Sequence, residues 1–589
     1  MFNIQNFIQP QEIEDVPHKS IYEFKLPITF IDKKNLFSID DCVSEDLELY
    51  NNDPSQVSMY NFLLNPDNKF SQDNVKHWNK YYTNDIEFLK DTQHIISNMS
   101  VFDSKKTTKC DIIHSIWEET KNNDSFYIKY NYFEWDILKK FNLSSFVLLI
   151  LVIIHLSSPL IFFIMPLLIF IIPFFILKYQ SIPITLSIYY STLKVIITEH
   201  FLGKAFNRMD SKSIVTLGYV ICCIFFYCFQ IYQNINTCYS FYSNIKNVNQ
   251  DINDLHDFIN NSIEKIENFK LISSKCNSYE PFNTCYLDVN HSNLISLKNE
   301  LSSIDQFSFS FNKITQFGKI LRCYYIIHSN QEYEKALQFA VGFDGYIDNM
   351  YNVHTLYKNG SLSFAKFSKG YKCSIKDQVY PSLINDENAV KNDFDISGNV
   401  IITGPNASGK TTAIKTTTIN IIFTQQFGCG FYSSCKINPY THIHSYINIP
   451  DTSNRDSLFQ AESRRCKDII DNILEKSSVD NYRHFCIFDE LYSGTNPVEA
   501  SKAGYAFLKY LNGFSNVDYI LTTHYIYICK KFKKSNKIQN FKMKVDINND
   551  GNYDFTYKMI PGISDLKGAI KVLKEMDYPR EIIDTFEKI

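Results

Sequence analysis

A short strand–turn–helix pattern is the strongest constraint on how this chain of 589 residues folds. Residues 401–412 read IITGPNASGKTT, so a β-branched apolar run leads into a turn that ends in Gly-Lys-Thr. This order fits G-x-x-x-x-G-K-[ST], in which the glycines let backbone N–H groups turn towards phosphate oxygens. The helix that follows directs its positive N-terminal end at the same oxygens. The pattern therefore predicts a phosphate-binding loop between a buried strand and a helix.

The loop also predicts which residues hold a nucleotide. Lys410 would reach the β- and γ-phosphates, and the hydroxyl of Thr411 would be a ligand of Mg²⁺. ATP with Mg²⁺ is accordingly the expected cofactor. The expected nucleotide contacts are Gly404, Pro405, Asn406, Ala407, Ser408, Gly409, Lys410, Thr411 and Thr412.

Two later apolar runs end in residues suited to nucleotide chemistry. FCIFDE at 485–490 predicts a buried strand that ends in Asp489, an expected Mg²⁺ ligand, and Glu490, which would orient or deprotonate the attacking water. YILTTHY at 519–525 places His524 at the end of a second strand, where it would sense the γ-phosphate. Because an α/β sheet binds ligands at the carboxyl ends of its strands, we expect these groups to meet at one edge. The fold expected for this region is an α/β P-loop ATPase domain, and Glu490 and His524 are its expected catalytic residues.

Three of these segments resemble one protein family. TGPNASGKTT, FDELYSGTNPVEA and LTTHY are similar to the ATPase domain of the MutS family of DNA mismatch repair proteins, which is of the ABC type. The Pro405-Asn406 pair makes this resemblance more specific than the loop pattern alone. The resemblance implies ATP hydrolysis, a homodimer formed through the ATPase domain, and DNA as a partner.

Weaker similarities extend the resemblance. SLFQAES at 457–463 resembles the family's S-x-F-x-x-E signature, which implies that Ser457 contacts the ATP of a partner subunit. KGAIKVLKEMDYPREII at 567–583 resembles the family's C-terminal helical dimerisation element, and IDDCVSEDLELY resembles the start of its lever domain. The Phe-x-Glu of the family's mismatch reader does not occur between residues 1 and 140. We therefore expect a member that lacks the N-terminal mismatch-recognition domain, with doubtful mismatch specificity.

A long uncharged run lies upstream of the loop. Residues 146–177 carry no charge across 32 positions, whereas a spanning helix needs about 20 apolar residues. The run reads either as a helical hairpin turning near Ser157-Ser158-Pro159 or as one tilted, proline-kinked span. A second uncharged run at 213–232 reads as a span or as a buried core helix. These runs predict transmembrane helices inserted in an α-helical lever and coiled-coil region, a multi-pass membrane location with a cytosolic ATPase domain, and membrane lipids as partners.

Patterning suggests five parts along the chain. We expect an N-terminal segment at 1–36, a lever-like helical region at 37–143 and a membrane segment at 144–235, with its spans at about 144–177 and 213–232. Apolar residues spaced by three and four, from Ile245 to Phe269 and from Leu294 to Ile304, predict coiled-coil or lever helices at 236–336. Residues 337–589 are expected to form the MutS-like core and ATPase domain, including the helical dimerisation element.

Charge and the remaining motifs leave alternatives open. The net charge of −4 does not by itself call for nucleic acid, although a local basic patch can still bind it. One basic cluster stands out, and it reads either as a solvated surface loop or as a contact for DNA or anionic lipid phosphates: Lys530, Lys531, Lys533, Lys534 and Lys537. An ABC-type transporter half is a second reading of the chain, but the Leu-Ser-Gly-Gly signature it needs is absent between Lys410 and Asp489. A membrane-remodelling or scaffold ATPase that does not bind DNA is a third.

Overall fold

The computed structural model describes residues 18–51, 53, 57–102, 109–168, 170–199, 214–308, 310–370, 373–396, 398–447, 449, 457–476, 482–547, 553–564, 566 and 576–588. Its fold is mixed α/β, and the chain divides into two compact units. The first unit comprises Met1–Ile21, Lys109–Asn261 and Ser292–Leu337. The second comprises Tyr22–Thr108, Ser262–His291 and Gln338–Ile589, and it contains all of the predicted nucleotide contacts. The five-part division expected from the sequence stays a prediction.

Helices form most of the chain before the phosphate loop. In chain order they are α1 (Asp41–Asp46), α2 (Met59–Leu64), α3 (Lys69–Trp78), α4 (Ile86–Asn98), α5 (Cys110–Trp117), α6 (Phe126–Lys129), α7 (Ser145–Leu168), α8 (Ile172–Tyr179), α9 (Leu186–Glu199), α10 (Ile214–Ser273), α11 (Glu280–Phe282), α12 (Asp288–Leu301), α13 (Phe311–Ser329) and α14 (Gln331–Lys358). The later helices are α15 (Lys410–Phe427), α16 (Leu458–Lys476), α17 (Pro497–Leu511), α18 (Ile526–Phe532) and α19 (Arg580–Lys588).

The structure corrects the expectation of inserted transmembrane helices. Throughout the described parts of the chain, no helix combines the length and the apolar character needed to cross a membrane. The uncharged run is divided between α7 and α8, and the second run is only the first third of the 60-residue α10, whose later part is polar. The prediction of transmembrane helices and that of a multi-pass membrane location are therefore wrong, and the membrane-lipid partners predicted from these helices have no support.

Helix α7 is instead held by close packing within the first unit. It lies along α13, where a Cβ added to Gly318 would overlap the backbone oxygen of Ser145 and would come within 2.8 Å of Leu149 Cβ. Leu148 and Val152, on the same side of α7, are buried. Apolar residues in this helix thus have a protein partner on one face, which the uncharged composition alone does not reveal.

All but one of the residues predicted to line a coiled-coil seam are buried in helices, and Ile304 is buried but follows the end of α12. All eight apolar positions from Ile245 to Phe269 lie in α10 and are at most 7% exposed. Leu294, Leu297 and Leu301 lie in α12 and are also buried. A spacing of three and four residues places such side chains on one face of a helix, which explains their shared burial.

Thirteen strands are described. They are β1 (Leu36–Ser38), β2 (Tyr81–Thr83), β3 (Ser363–Phe367), β4 (Cys373–Gln378), β5 (Asn392–Ile396), β6 (Asn399–Thr403), β7 (Cys429–Gly430), β8 (Ser434–Ile437), β9 (His442–Tyr446), β10 (His484–Asp489), β11 (Val517–Thr522), β12 (Ile538–Ile547) and β13 (Tyr553–Pro561). They form a two-stranded sheet of β1 and β2, a five-stranded sheet in the order β5-β4-β8-β3-β7, and a six-stranded sheet in the order β13-β12-β6-β11-β10-β9.

The six-stranded sheet determines where the site is. Strands β9, β10, β11, β6 and β12 pair in parallel, and β13 completes the edge in antiparallel orientation. Strands β6 and β11 are buried along their whole length, as expected for strands covered by helices on both faces. The parallel register brings the carboxyl ends of β6, β10 and β11 to the same edge.

Helix α15, which follows the phosphate loop, is buried almost throughout and is anchored by two glutamines at its C-terminal end. The Gln426 amide donates to the carbonyl oxygens of Trp78 and Tyr81, both at 2.7 Å. The Gln425 amide donates to the carbonyl oxygens of Thr83 at 3.0 Å and Tyr440 at 2.7 Å. These buried hydrogen bonds satisfy backbone groups at the end of α3 and along β2, so they fix the helix against the segment that precedes the sheet.

Candidate nucleotide site

The loop between β6 and α15 has the backbone shape expected of a phosphate cradle. Ala407 and Gly409 adopt positive φ angles of 62° and 90°, a left-handed conformation that a glycine adopts without steric cost. The buried hydroxyl of Ser408 donates to the carbonyl oxygen of Pro405 at 2.8 Å and closes the turn. A serine at this position is therefore a structural element of the loop.

Lys410 is a buried cation at the base of the loop, with an exposed fraction of 6%. Its ammonium group donates to the carbonyl oxygens of Gly404 and Pro405, both at 3.1 Å, and lies 3.2 Å from Nε2 of His524. Burial lowers the pKa of Lys410, and the carboxylates of Glu490 and Asp489 oppose that shift. The amine is held where the loop turns, and its contact with phosphate stays a prediction.

A second group of contacts joins three elements around Asp489. The Thr411 hydroxyl donates to Oδ2 of Asp489 at 2.7 Å, and the hydroxyl of Thr522 donates to the other carboxylate oxygen. Asp489 ends β10, Thr411 lies in the first turn of α15, and Thr522 ends β11. Hydroxyl and carboxylate oxygens are the donors that Mg²⁺ prefers, so this set fits that cation.

Glu490 and His524 form a pair beside the lysine. Nε2 of His524 lies 2.9 Å from Oε1 of Glu490, and both side chains are partly open to solvent, at 38% and 43% exposure. The backbone N–H of Glu490 donates to the carbonyl oxygen of Thr522 at 3.1 Å, and Glu490 itself has a φ of 51°. The hydrogen bond from His524 is the main cause that lowers the pKa of Glu490 below its ordinary value of 4.5. Glu490 is therefore ionised at neutral pH and available as a base.

A cavity of about 670 Å³ lies against the loop. Seven of the predicted residues line it: Asn406, Ala407, Gly409, Lys410, Thr411, Thr412 and Glu490. Pro405 and Gly404 contribute the carbonyl groups that hold Lys410, and Ser408 closes the turn. Asp489 and His524 contact cavity residues from the ends of β10 and β11. The structure thus brings together the residues of all three sequence segments.

The rest of the cavity wall was not identified from the sequence. It comes from residues 378–392, from α15 and from β13, and comprises Gln378, Tyr380, Leu383, Asp386, Asn388, Ala389, Val390, Asn392, Ala413, Thr416 and Tyr557. Tyr557 stands over the loop, since a Cβ added to Gly409 would lie 3.1 Å from its ring. The Asn392 amide donates to the carbonyl oxygen of Tyr557 at 3.0 Å and joins the two segments. Neither segment carries a local motif, so no pattern of adjacent residues indicates this part of the wall.

Ser457 lies apart from the residues that line this cavity. It precedes α16, where its backbone N–H donates to Gln460 Oε1 at 2.9 Å and its hydroxyl accepts from the Gln460 N–H at 3.4 Å. This reciprocal pair caps the start of the helix. A contact between Ser457 and a nucleotide therefore stays a prediction, and it requires a second copy of the chain.

The same signature segment also contacts the loop that follows Glu490. Glu462, which is 2% exposed, accepts a hydrogen bond from the Ser493 hydroxyl at 2.8 Å and from the Gly494 N–H at 3.2 Å. A Cβ added to Gly494 would lie 2.8 Å from the backbone nitrogen of Phe459. Helix α16 is thus fixed to the loop after Glu490.

Residues 567–575 of the expected dimerisation element lie outside the described residues, and α19 forms its end.

The chain is similar in sequence to known proteins. Residues 400–589 match the family model of MutS domain V. The DNA mismatch repair protein MutS of Fusobacterium nucleatum is 27% identical over 281 residues, which are 44% of this chain and 30% of that protein. The MutS of Caldanaerobacter subterraneus is 28% identical over 222 residues, or 36% of this chain and 24% of that protein. Endonuclease MutS2 of Streptococcus uberis is 26% identical over 262 residues, or 44% of this chain and 32% of that protein.

These matches support the resemblance to the MutS family. The C-terminal part of the chain carries a MutS domain V. The aligned part of the chain spans about a third or less of the length of these relatives. The part of the chain that matches the family model holds the loop, the Asp489-Glu490 strand and His524.

Proposed function

We propose that this chain binds ATP with Mg²⁺ at the loop between β6 and α15 and hydrolyses it. The observation that carries the proposal is the convergence beside one cavity of groups that follow β6, end β10 and follow β11: the Lys410 amine, the Asp489 carboxylate held by Thr411, and the Glu490–His524 pair. An amine and N–H groups for phosphate, oxygens for a cation and a base for water are the parts that phosphoryl transfer to water requires.

Each of these residues has a distinct task in the proposed reaction. Lys410 and the backbone N–H groups of the loop hold the β- and γ-phosphates, which places the γ-phosphorus near Glu490. Thr411 and Asp489 are the residues that would hold Mg²⁺, which when bound neutralises charge on the phosphate oxygens. Glu490 accepts a hydrogen bond or a proton from the attacking water, and His524 keeps the carboxylate oriented and ionised.

The test of this function is release of phosphate from ATP by the full chain, measured with Mg²⁺ and again with a chelator. We expect turnover that requires Mg²⁺. Addition of duplex or branched DNA to the same assay measures whether DNA alters the turnover. A chain that binds ATP without releasing phosphate would support the scaffold alternative instead.

The cavity wall beside the loop offers a stacking surface for the base of the proposed nucleotide. Tyr557 presents a ring that is 48% exposed beside the loop, and bases stack on such rings with about 1–3 kcal/mol. Replacing Tyr557 with alanine should weaken ATP binding by about fivefold or more in an equilibrium titration, because the stacking surface is removed. Tyr510→Ala, which removes a similarly exposed ring outside the cavity, is the matched control. Equal affinities for the two variants would show that the base does not stack there.

We further propose that two chains form a homodimer through their ATPase domains. The support is Ser457, which belongs to a family-like signature but lies away from its own chain's cavity, capping α16. In a dimer, this segment is free to face the site of the other copy. Mixing a Ser457→Ala chain with a Lys410→Ala chain should restore part of the turnover that each variant lacks, since one wild-type site would then be complete. No restoration at any mixing ratio would contradict the shared site.

We also propose that the chain binds DNA and that ATP turnover controls this binding. One support is the similarity to MutS and MutS2 proteins. The other is the pair of helices α10 and α12, which carry the buried apolar residues of the predicted coiled-coil seam. In this proposal, ATP-dependent movement of a dimer opens or closes these helices around DNA, as a hinge-type motion. Turnover that does not change when duplex or branched DNA is added would contradict it.

A further inference from the structure

A basic surface on the ATPase domain is not used by the nucleotide site. It is formed by α17, α18 and the turn before β12, and we call it the lysine–tyrosine face. Its exposed residues are Lys502, Lys509, Tyr510, Tyr527, Lys530, Lys531, Lys533, Lys534 and Lys537. The sequence pattern indicates only the last five lysines, and it does not distinguish a solvated loop from a binding surface.

The charge of this face is unbalanced. Between residues 500 and 537 the one acidic residue is Asp518, which is buried and forms an ion pair with Arg483 at 2.7 Å. Among the described residues, the ion pairs of the structure involve none of the seven lysines of the face. Seven lysine charges that form no ion pair in the described part of the chain contrast with a net charge of −4 for the whole sequence. Such local concentration produces a positive potential that attracts a polyanion.

The fold gathers these residues from two helices and a turn. The Tyr505 ring packs against Phe532 at 4.9 Å and Tyr527 at 6.4 Å between centroids, which joins α17 to α18. The Lys537 amine donates to the carbonyl oxygen of Asn512 at 3.2 Å, so the turn before β12 lies beside the end of α17. The lysines therefore share one surface, although 35 residues separate the first from the last (537 − 502).

Aromatic rings stand among the lysines. Tyr510 is 47% and Tyr527 is 42% exposed, and the amine of Lys531 lies 5.4 Å from the centroid of the Tyr527 ring. Each ring is supported from one side, Tyr510 by Phe514 at 5.4 Å and Tyr527 by Tyr505. A supported, half-exposed ring beside cations offers a stacking platform and a phosphate contact together, which is the combination that single-stranded nucleic acid uses.

We propose that the lysine–tyrosine face binds single-stranded nucleic acid, with the lysines contacting phosphates and Tyr510 and Tyr527 stacking on bases. An acidic peptide supplies negative charge but no regular series of aromatic faces, so it accounts for the lysines and leaves the tyrosines unused. The inference rests on the proposed function only in taking nucleic acid as the class of ligand. It adds a site on the ATPase domain itself, formed by segments other than α10 and α12.

The position of the face connects it to the nucleotide site. Helix α18 begins two residues after His524, and the backbone N–H of Ile526 donates to the carbonyl oxygen of His524 at 3.1 Å. Ile528 and Cys529, on the inner side of α18, are buried in the core of the domain. A nucleic-acid strand bound along the outer side of α18 would therefore contact the helix that positions His524 against Glu490.

The test measures binding of a fluorescently labelled oligothymidylate to the full chain by anisotropy, between about 50 and 200 mM salt. The variant K530Q/K531Q/K533Q/K534Q should bind about tenfold or more weakly, and the slope of log affinity against log salt should fall by up to about 2.8, which is about 0.7 for each lysine that no longer neutralises a phosphate. The matched control K33Q/K34Q/K90Q/K366Q removes four exposed lysines elsewhere and should leave both quantities nearly unchanged.

A second pair of variants tests the tyrosines. Y510A/Y527A should weaken oligothymidylate binding by about fivefold or more while leaving the salt slope unchanged, and Y510F/Y527F should bind as the wild type does, because it keeps the rings. Duplex DNA, whose bases are already stacked, should show no difference between these two variants. An equal reduction in affinity for duplex and single strand would overturn the stacking role.

Other outcomes overturn the site as a whole. They are no binding by the wild-type chain at the lowest salt, equal reductions in affinity for the patch and control lysine variants, or competition by polyglutamate as effective as by unlabelled oligothymidylate, which would indicate an acidic protein partner. Phosphate release by K530Q/K531Q/K533Q/K534Q should match the wild type without nucleic acid. A chain that binds oligothymidylate through the face yet releases no phosphate would contradict the proposed ATPase and leave this inference standing.

Discussion

Replacing Glu490 with glutamine is expected to reduce ATP turnover by about 100-fold or more while leaving ATP binding nearly intact. Glu490 is partly exposed at the cavity, is ionised through its hydrogen bond with His524, and lies at the end of the buried strand β10. A glutamine keeps the volume and one acceptor oxygen but cannot take a proton from water. The reaction should therefore lose its base, and the ATP complex should accumulate. Phosphate release and equilibrium binding of ATP, measured on the same preparation, separate the two effects.

The matched control for this change is Glu499→Gln. Glu499 is an exposed glutamate in the first turn of α17, on the same stretch of chain but outside the cavity. Its replacement should alter turnover by less than about twofold, because an exposed surface charge is screened by salt. If Glu490→Gln hydrolyses ATP at the wild-type rate, the assignment of Glu490 as the base fails.

Replacing Lys410 with alanine is expected to weaken ATP binding by about 10- to 150-fold, the range that corresponds to the removal of a hydrogen bond between charged groups. The Lys410 amine is buried and is held by two loop carbonyl groups beside Glu490 and Asp489. Removing it deletes the cation that would neutralise phosphate and leaves two carboxylates near the incoming negative charge. Titration calorimetry with a non-hydrolysable ATP analogue measures the change directly.

Lys376→Ala is the control for the lysine variant, since Lys376 is exposed on β4 and its replacement removes the same charge from the chain. Thermal unfolding of both variants without nucleotide shows whether the fold survives. Retention of tight ATP binding by a folded Lys410→Ala chain would contradict the assignment of the loop.

The site residues that could be predicted from the sequence are those whose positions follow from local rules. A β-branched run, a glycine-containing turn and Gly-Lys-Thr specify a strand, a loop and a helix start, and the structure has β6, the loop and α15 in that order. Asp489 and His524 end apolar runs, and parallel pairing of β10 and β11 brings such ends together. Local backbone preferences, together with the rule that parallel strands end at the same edge of a sheet, were sufficient to predict that these residues meet at one edge.

The uncharged run shows where composition misleads. Absence of charge over residues 146–177 satisfies the requirement for a span, but it does not specify whether an apolar face meets lipid or another helix. The structure divides the run between α7 and α8 and packs α7 on α13, where Gly318 permits close approach. This packing depends on α13, which lies more than 140 residues further along the chain (311 − 168 = 143), and no local pattern indicates it.

Adjacent residues alone specify the phosphate loop, the strand that ends in Asp489 and Glu490, and the strand before His524. The rest of the cavity, where Tyr557 on β13 and residues 378–392 face the loop, exists only in the folded chain. The same holds for the lysine–tyrosine face, which two helices and a turn assemble from separate segments. Burial, pairing at a sheet edge and contact between helices depend on partners distant in the chain, and a local pattern does not identify those partners.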